Sequence, residues 1–174
     1  KLEKLQREDF RGLLLAMDGL PVTVRTIDPP LHEFLPKTEE DISYLAGTLG
    51  MEERELKKRI EAMKETNPML GFRGCRLGIV HPEIPLMQVR ALTGAACDLV
   101  AAGKDPRPEI MIPLTSSPLE LQEHRGVIET EAKRVMRERG TNFPLPIGTM
   151  IEVPRAALLA GTIAPYADFF SFGT

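Results

Sequence analysis

A single carboxylate, Glu152, is the residue whose position in this chain most strongly indicates chemistry. It lies in the apolar run from Ile147 to Val153, which is typical of a buried β-strand, and Pro154 after it is placed to open a helix. Burying an ionised carboxylate costs several kcal/mol unless the group is paired or binds a metal ion. Because ligands of α/β folds bind at the carboxyl ends of strands, Glu152 is a candidate metal ligand. The alternative is a structural ion pair with a neighbouring arginine.

Two arginines occupy similar places in the sequence. Arg25 follows the predicted strand Val22–Val24, and Arg73 follows a second predicted strand, Leu70–Phe72. An arginine can donate two parallel hydrogen bonds to a carboxylate or phosphate, and a carboxylate-held Mg²⁺ can polarise a carbonyl of the same ligand. Two guanidinium groups and one carboxylate on a shared rim therefore indicate a site for a small anion with a divalent cation. For each arginine alone, a structural salt bridge is the alternative.

Other reactive residue types favour structural roles. Cys75 and Cys97 lack metal-ligand partners at a suitable spacing and are predicted to be packed thiols. His124 lies on a polar helix face and is predicted to be solvated. The glycines between 71 and 78 lack the strand-to-helix context of a dinucleotide-binding loop.

Composition indicates one globular domain over residues 1–174. Hydrophobic residues make up 43% and charged residues 27%, and the net charge of −3 gives no support for nucleic acid or an anionic membrane as a partner. No apolar run approaches the roughly 18 residues that a bilayer span needs. Two cysteines and no secretory signal pattern predict a reducing, cytoplasmic location. Because the chain starts at Lys1 and stops at Thr174, just after an apparent strand, we expect a piece of a longer protein.

The elements that must position these residues alternate between strands and helices. Helices are predicted near 2–17, from Thr38, at 52–65, at 82–102, from Ser117 to about Gly140 and, as a short one, between the last two strands. Strands are predicted at 22–25, 69–75, 109–114, 147–153 and 168–172. Thr38 with Asp41 resembles a capping pair, and Ser117 with Glu120 is predicted to cap its helix. Such alternation predicts an α/β fold with a parallel sheet and right-handed crossovers. An open doubly wound sheet and part of a (β/α)8 barrel both fit the pattern.

Longer strings within these segments resemble the pyruvate, phosphate dikinase family. They are Leu20–Pro36, Asn67–Gly78, Pro108–Leu114, Gly148–Ala157 and Phe169–Thr174, and the resemblance extends over essentially the whole chain. A sister family, Enzyme I of the sugar phosphotransferase system, typically has a Gly-Gly-Asp-Lys run where this chain has Pro29–Phe34.

The resemblance implies the phosphoenolpyruvate/pyruvate-binding domain, a (β/α)8 TIM-type barrel of which this chain would hold about strands two to six of eight. The family interconverts ATP, phosphate and pyruvate with AMP, diphosphate and phosphoenolpyruvate, and a phosphohistidine on a separate domain carries the phosphoryl group. Implied partners are phosphoenolpyruvate or pyruvate, the phosphohistidine and nucleotide-binding domains of the parent chain, and a second copy in a homodimer. An organelle is a possible location in a eukaryote.

Residue roles follow from the same resemblance. Arg25 would bind phosphoryl or carboxylate oxygens, and Arg73 would contact the transferring phosphoryl group. Glu152 would ligate Mg²⁺ together with an aspartate that follows the Phe-Gly-Thr motif in relatives. Gly173 and Thr174 would begin the loop that cradles the substrate.

The second metal ligand and the catalytic cysteine of the family would both lie beyond Thr174. Cys75 and Cys97 lie in other motifs and do not replace that cysteine, so we expect the isolated chain to be inactive. Two other functions stay open: a phosphoenolpyruvate–protein phosphotransferase like Enzyme I, and a non-catalytic dimerisation module.

Overall fold

The computed structural model describes residues 1–63 and 71–173 and, for Leu31 and His32, the backbone alone. Contacts divide the chain into two compact units, one formed by Lys1–Asp28 with Gly74–Thr174 and the other by Pro29–Arg73. The single domain expected over residues 1–174 stays a prediction.

Four parallel strands form the sheet of the first unit. In sequence order they are β1 (Pro21–Arg25), β2 (Arg107–Ile112), β3 (Ile147–Ile151) and β4 (Phe170–Phe172), and each pairs with the next. The strands curl into a half-barrel, which is consistent with the predicted partial (β/α)8 TIM-type barrel. The assignment to strands two to six of eight stays a prediction.

Seven α-helices lie in the described part of the chain. They are α1 (Leu2–Ala16), α2 (Glu39–Leu49), α3 (Glu53–Ala62), α4 (Gly74–Val80), α5 (Glu83–Ala101), α6 (Pro118–Glu138) and α7 (Pro154–Ile163), with 3₁₀ turns at Leu31–Phe34 and Ala164–Tyr166. All but α4 correspond to predicted helices. Ser117 caps α6 as predicted: its hydroxyl accepts from Glu120 N–H at 3.3 Å, and the Glu120 carboxylate accepts from Ser117 N–H at 3.1 Å. This reciprocal pair satisfies donors that a helix start otherwise leaves unpaired.

The second unit has a small core of its own. Ile42 and Ala46 of α2 pack against Leu56 and Ile60 of α3. The predicted cap on α2 is confirmed, because Thr38 Oγ1 accepts from Asp41 N–H at 3.1 Å.

The start of β3 is fixed by Arg125 of α6. Its Nη1 donates to the carbonyl oxygens of Ile147 and Tyr166, at 3.2 and 3.0 Å, and its Nη2 donates to both carboxylate oxygens of Asp168. Asp168 Oδ2 in turn accepts from Ile147 N–H at 2.7 Å. Every residue of β3 is buried, so the strand that precedes Glu152 is enclosed by the protein along its length.

One helix, α5, is long and apolar enough to cross a membrane by length and composition, within the part of the chain that the structure describes. More than half of that stretch is buried inside the protein, including Val89, Leu92 and Leu99. Core helices pass the same test, so this finding is weak evidence for a membrane span.

The strand predicted over residues 69–75 is wrong where the structure describes it. Met69 and Leu70 lie outside the described residues, Gly71–Arg73 is not a strand, and Gly74 begins α4. Gly74 has a φ of +56°, which an apolar strand pattern cannot reveal because it depends on the turn rather than on hydrophobicity.

The prediction that His124 is solvated is also wrong. The side chain is 3% exposed, and its Nδ1 lies 3.3 Å from the carbonyl oxygen of Cys75. Gly78 of α4 makes the room, because a Cβ there would lie 2.1 Å from His124 Cε1. Burial lowers the pKa of His124 below its ordinary value, which outweighs the opposing effect of the Cys75 carbonyl.

We expect the free energy of unfolding to fall as the pH drops below about 6.5, the ordinary pKa of His124. The unfolded chain binds this proton more readily than the folded chain, so His124 costs no stability above that pH. As the pH falls from about 6.5 towards the lower pKa of the folded state, the free energy of unfolding decreases by up to about 1.4 kcal/mol per pH unit. His124→Asn, which keeps a donor without titrating there, should flatten this dependence in urea unfolding at pH 7.5 and 5.5. His81→Gln, at an exposed histidine, is the control and should retain it.

Candidate functional site

Three of the predicted site residues lie at the carboxyl ends of strands in the first unit. Arg25 is the last residue of β1, Glu152 follows β3, and Gly173 follows β4. Because the strands are parallel and paired in order, these positions lie on one rim of the sheet.

The Glu152 carboxylate is half-buried and has two distinct oxygens. Oε1 accepts a hydrogen bond from Leu114 N–H, just after β2, at 2.8 Å. Oε2 has no hydrogen-bond partner among residues 1–63 and 71–173. One oxygen is therefore held by the backbone, and the other is available to a ligand.

Leu114 presents that N–H from an unusual backbone conformation, with a φ of +58°. Left-handed geometry in a non-glycine residue costs of the order of 1 kcal/mol and persists only where the surroundings enforce it. The start of α4 does so here: a Cβ on Gly74 would lie 3.1 Å from Leu114 Cβ, and Cys75 N–H donates to the carbonyl oxygen of Pro113 at 3.1 Å. Sequence reasoning missed Leu114, since a backbone angle leaves no signal in residue type.

The Arg25 side chain extends from β1 across β2 to β3. Its Nη1 lies 3.8 Å from Met150 Sδ and 3.3 Å from Asp28 Oδ2. Within the described part of the chain, Nε and Nη2 have no hydrogen-bond partner, and the side chain is 45% exposed. Much of the guanidinium fork is thus free to bind an anion. Met150 was also missed in the sequence, where a methionine in a strand reads as core.

Gly173 lies directly against Glu152. A Cβ on Gly173 would be 2.6 Å from Glu152 Cβ, 3.0 Å from Glu152 Oε2 and 3.5 Å from Met150 Cε. A side chain at this position would therefore crowd the free carboxylate oxygen.

The remaining predicted site residues are not placed in this group. Arg73 is half-buried and belongs to the second unit, whereas Glu152 belongs to the first. Its backbone N–H donates to the carbonyl oxygen of Gly71 at 3.0 Å. Thr174 lies outside the described residues.

The site offers one protein ligand for a hard cation such as Mg²⁺. Among the described residues, no group of three or more histidine, cysteine, aspartate or glutamate side chains is arranged to hold a metal ion. Mg²⁺ is commonly bound by one or two carboxylates, with water and substrate oxygens completing its shell. The free Oε2 of Glu152 is suited to be such a carboxylate ligand.

Both cysteines are packed thiols, as predicted. Cys75 and Cys97 are 0% and 1% exposed. Burial, followed by the nearby charge of Glu120, raises the pKa of Cys75 to about 12. A thiol with so high a pKa stays protonated at neutral pH and is a poor nucleophile.

Comparisons with known proteins show what the chain is similar to. The sequence profile of a family described as "PEP-utilising enzyme, PEP-binding domain" matches residues 1–174. The chain is 54% identical over 171 residues to a pyruvate, phosphate dikinase of Flaveria pringlei named as chloroplastic, which covers 97% of the chain and 18% of that relative. It is 54% identical over 175 residues to a pyruvate, phosphate dikinase of Rhizobium meliloti, which covers 100% of the chain and 20% of that relative. The chain thus spans about a fifth of the length of the relatives it matches.

We expect Gly173→Ala to lower the free energy of unfolding by about 1–3 kcal/mol, because the added methyl overlaps Glu152 and forces that end of β3 to shift. Chemical denaturation would measure the change. Gly161→Ala, in α7 with nothing within 4 Å of the added Cβ, is the matched control and should be neutral or stabilising. Equal effects of the two substitutions would contradict the crowding argument.

Proposed function

The chain belongs to the family of PEP-utilising enzymes, in their PEP-binding domain, and from this we propose that it supplies part of the phosphoenolpyruvate/pyruvate site of a pyruvate, phosphate dikinase. The observation that carries the proposal is the rim on which Arg25 and Glu152 each keep free ligand-binding atoms. A substrate with a carboxylate, a carbonyl and a transferable phosphoryl group needs an anion-binding fork and a cation ligand side by side.

The proposed reaction transfers a phosphoryl group between a phosphohistidine and pyruvate, so that ATP, phosphate and pyruvate become AMP, diphosphate and phosphoenolpyruvate. Phosphoryl transfer depends mainly on positioning and on electrostatic stabilisation of the moving charge. The residues on this rim are suited to both tasks.

Arg25 is proposed to bind substrate oxygens through its guanidinium fork. Asp28 and Met150 contact Nη1 and restrain the side chain, while Nε and Nη2 can donate in parallel to a carboxylate or phosphoryl group. Its fixed positive charge would offset negative charge on the substrate. Arg73 is proposed to contact the transferring phosphoryl group, and Thr174 with Gly173 to form the start of the substrate loop; these roles rest on the matched motifs alone.

Glu152 is proposed to hold Mg²⁺ through Oε2 while Leu114 N–H keeps Oε1 in place. A divalent cation held there would supply positive charge next to the carbonyl oxygen of pyruvate. Gly173 leaves the space beside Oε2 that a ligand requires, because it has no side chain.

Other parts of the parent enzyme would complete the site. Since the chain spans about a fifth of its relatives, we propose that the second metal ligand, the phosphohistidine and the nucleotide-binding domain come from the rest of the protein. The isolated chain should not convert phosphoenolpyruvate, AMP and diphosphate to pyruvate. Homodimer formation and the cytoplasm or an organelle as location belong to the same proposal.

In the full-length enzyme, Glu152→Gln should abolish cation-dependent enolisation of pyruvate, because the amide loses the charge that binds the cation. NMR detection of solvent deuterium entering the pyruvate methyl group would measure this. Glu109→Gln is the control, since Glu109 accepts from Thr23 Oγ1 at 2.6 Å on β2, away from the rim. Undiminished exchange in Glu152→Gln would refute the assignment.

Arg25→Lys should lower kcat/KM for phosphoenolpyruvate by about 10–100-fold, because lysine keeps the charge but loses the parallel donors, each worth about 1.5–3 kcal/mol toward a charged acceptor. Steady-state kinetics would measure the loss. Arg107→Lys, at an exposed arginine at the amino end of β2, should show wild-type kinetics. Wild-type kinetics for Arg25→Lys would remove Arg25 from the site.

A further inference from the structure

Two threonines with no role in the proposed chemistry lie in the strand that precedes Glu152 and in the turn that contacts it. Thr149 is on β3, three residues before Glu152, and Thr115 immediately follows Leu114. Both side chains are 0% exposed. Since burying a hydroxyl is unfavourable unless it is hydrogen-bonded, a pair of buried threonines beside a candidate site requires an explanation.

The two hydroxyls form one short series of hydrogen bonds. Thr149 Oγ1 lies 2.7 Å from the carbonyl oxygen of Ile112 and 2.8 Å from Thr115 Oγ1. A hydroxyl has a single proton and a carbonyl can only accept, so Thr149 donates to Ile112 and accepts from Thr115. Ile112 is the last residue of β2. These hydrogen bonds therefore link the carboxyl end of β2 to β3 in addition to the backbone pairing of the two strands.

These hydrogen bonds restrain Thr115, the residue after Leu114, whereas α4 restrains Pro113, the residue before it. Thr115 is anchored by Thr149, and the carbonyl of Pro113 is anchored by Cys75 N–H. With both neighbours fixed, Leu114 stays in its left-handed conformation and directs its N–H to Glu152 Oε1. Strained backbone of this kind persists only when such contacts over-determine it.

We propose that Thr115 and Thr149 are positioning residues for Glu152, which keep its free oxygen in place for the divalent cation through the Leu114 turn. This inference rests on the proposed function of Glu152. Partners that orient a metal ligand typically change metal affinity 10–100-fold when they are removed. A merely structural pair would change stability and leave cation affinity as it was.

The chain offers a matched control in Thr93 of α5. Its side chain is also 0% exposed, and its hydroxyl has no hydrogen-bond partner among the described residues. Thr93→Val therefore makes the same chemical change in a buried site without touching the Leu114 turn.

The test is a Mn²⁺ titration of the full-length enzyme without nucleotide, followed by electron paramagnetic resonance, with thermal unfolding recorded in parallel. Thr149→Val and Thr115→Val should each weaken Mn²⁺ binding by about tenfold or more. Thr149→Ser, which keeps the hydroxyl, should restore the affinity to within about twofold even if it lowers the Tm. Thr93→Val should bind Mn²⁺ like the wild type.

A double variant separates positioning from general damage. If the threonines act through Glu152, Thr149→Val should add no further loss of Mn²⁺ affinity to Glu152→Gln. This inference would be overturned if Thr149→Val and Thr115→Val fold and bind Mn²⁺ with wild-type affinity while Glu152→Gln binds it more weakly. The proposed function would then still stand. Should Thr149→Val fail to fold, Thr115→Val and Thr149→Ser decide in its place. Wild-type affinity in Glu152→Gln would overturn the proposed role of Glu152 and this inference with it.

Discussion

The hydrogen bond from Leu114 N–H to Glu152 Oε1 is the constraint on which the rest of the site depends. A carboxylate at the end of a fully buried strand needs a donor, and the backbone provides one only if Leu114 turns into the left-handed region. That turn requires close approach by Gly74, and the carboxylate requires the absence of a side chain at Gly173. One bond thus links four separate segments of the chain and accounts for the glycines at positions 74 and 173.

Met150 separates the two charged groups of the rim. It contacts Arg25 through sulfur, and its Cε lies near Gly173, beside Glu152. A direct ion pair between Arg25 and Glu152 would neutralise both groups and leave neither free for a ligand. Arg25 instead pairs with Asp28, and the rim keeps its positive and negative groups apart. Such an arrangement suits a ligand that brings an anion and a cation together.

Local sequence signals made much of the fold predictable, whereas contacts between distant segments could not be predicted. The cap at Ser117 and the four strands of the sheet depend on neighbouring residues and were predicted correctly. The fifth predicted strand, over 69–75, was wrong where the structure describes it, because Gly74 begins a helix there. The burial of His124 depends on the absence of a side chain at Gly78 in another helix. The polar residues around His124 on its own helix therefore led to the wrong prediction that it is solvated. Charges at strand ends identified Glu152 and Arg25 as candidates, whose roles stay predictions. The Leu114 turn arises only from packing, which no residue pattern reports.

The insertion of residues 29–73 between β1 and α4 has a consequence for the order of folding. Paired positions on β3 and β4 are close in sequence, since Thr149 pairs with Phe170, 21 residues later (170 − 149). Thr23 on β1 and its partner Glu109 on β2 are 86 residues apart (109 − 23). The entropy cost of closing a loop grows with its length, by about 0.6 kcal/mol for each doubling. We therefore expect the sheet to assemble from β4 towards β1. Early collapse of the small core of α2 and α3 would shorten the final loop and speed the arrival of the strand that carries Arg25.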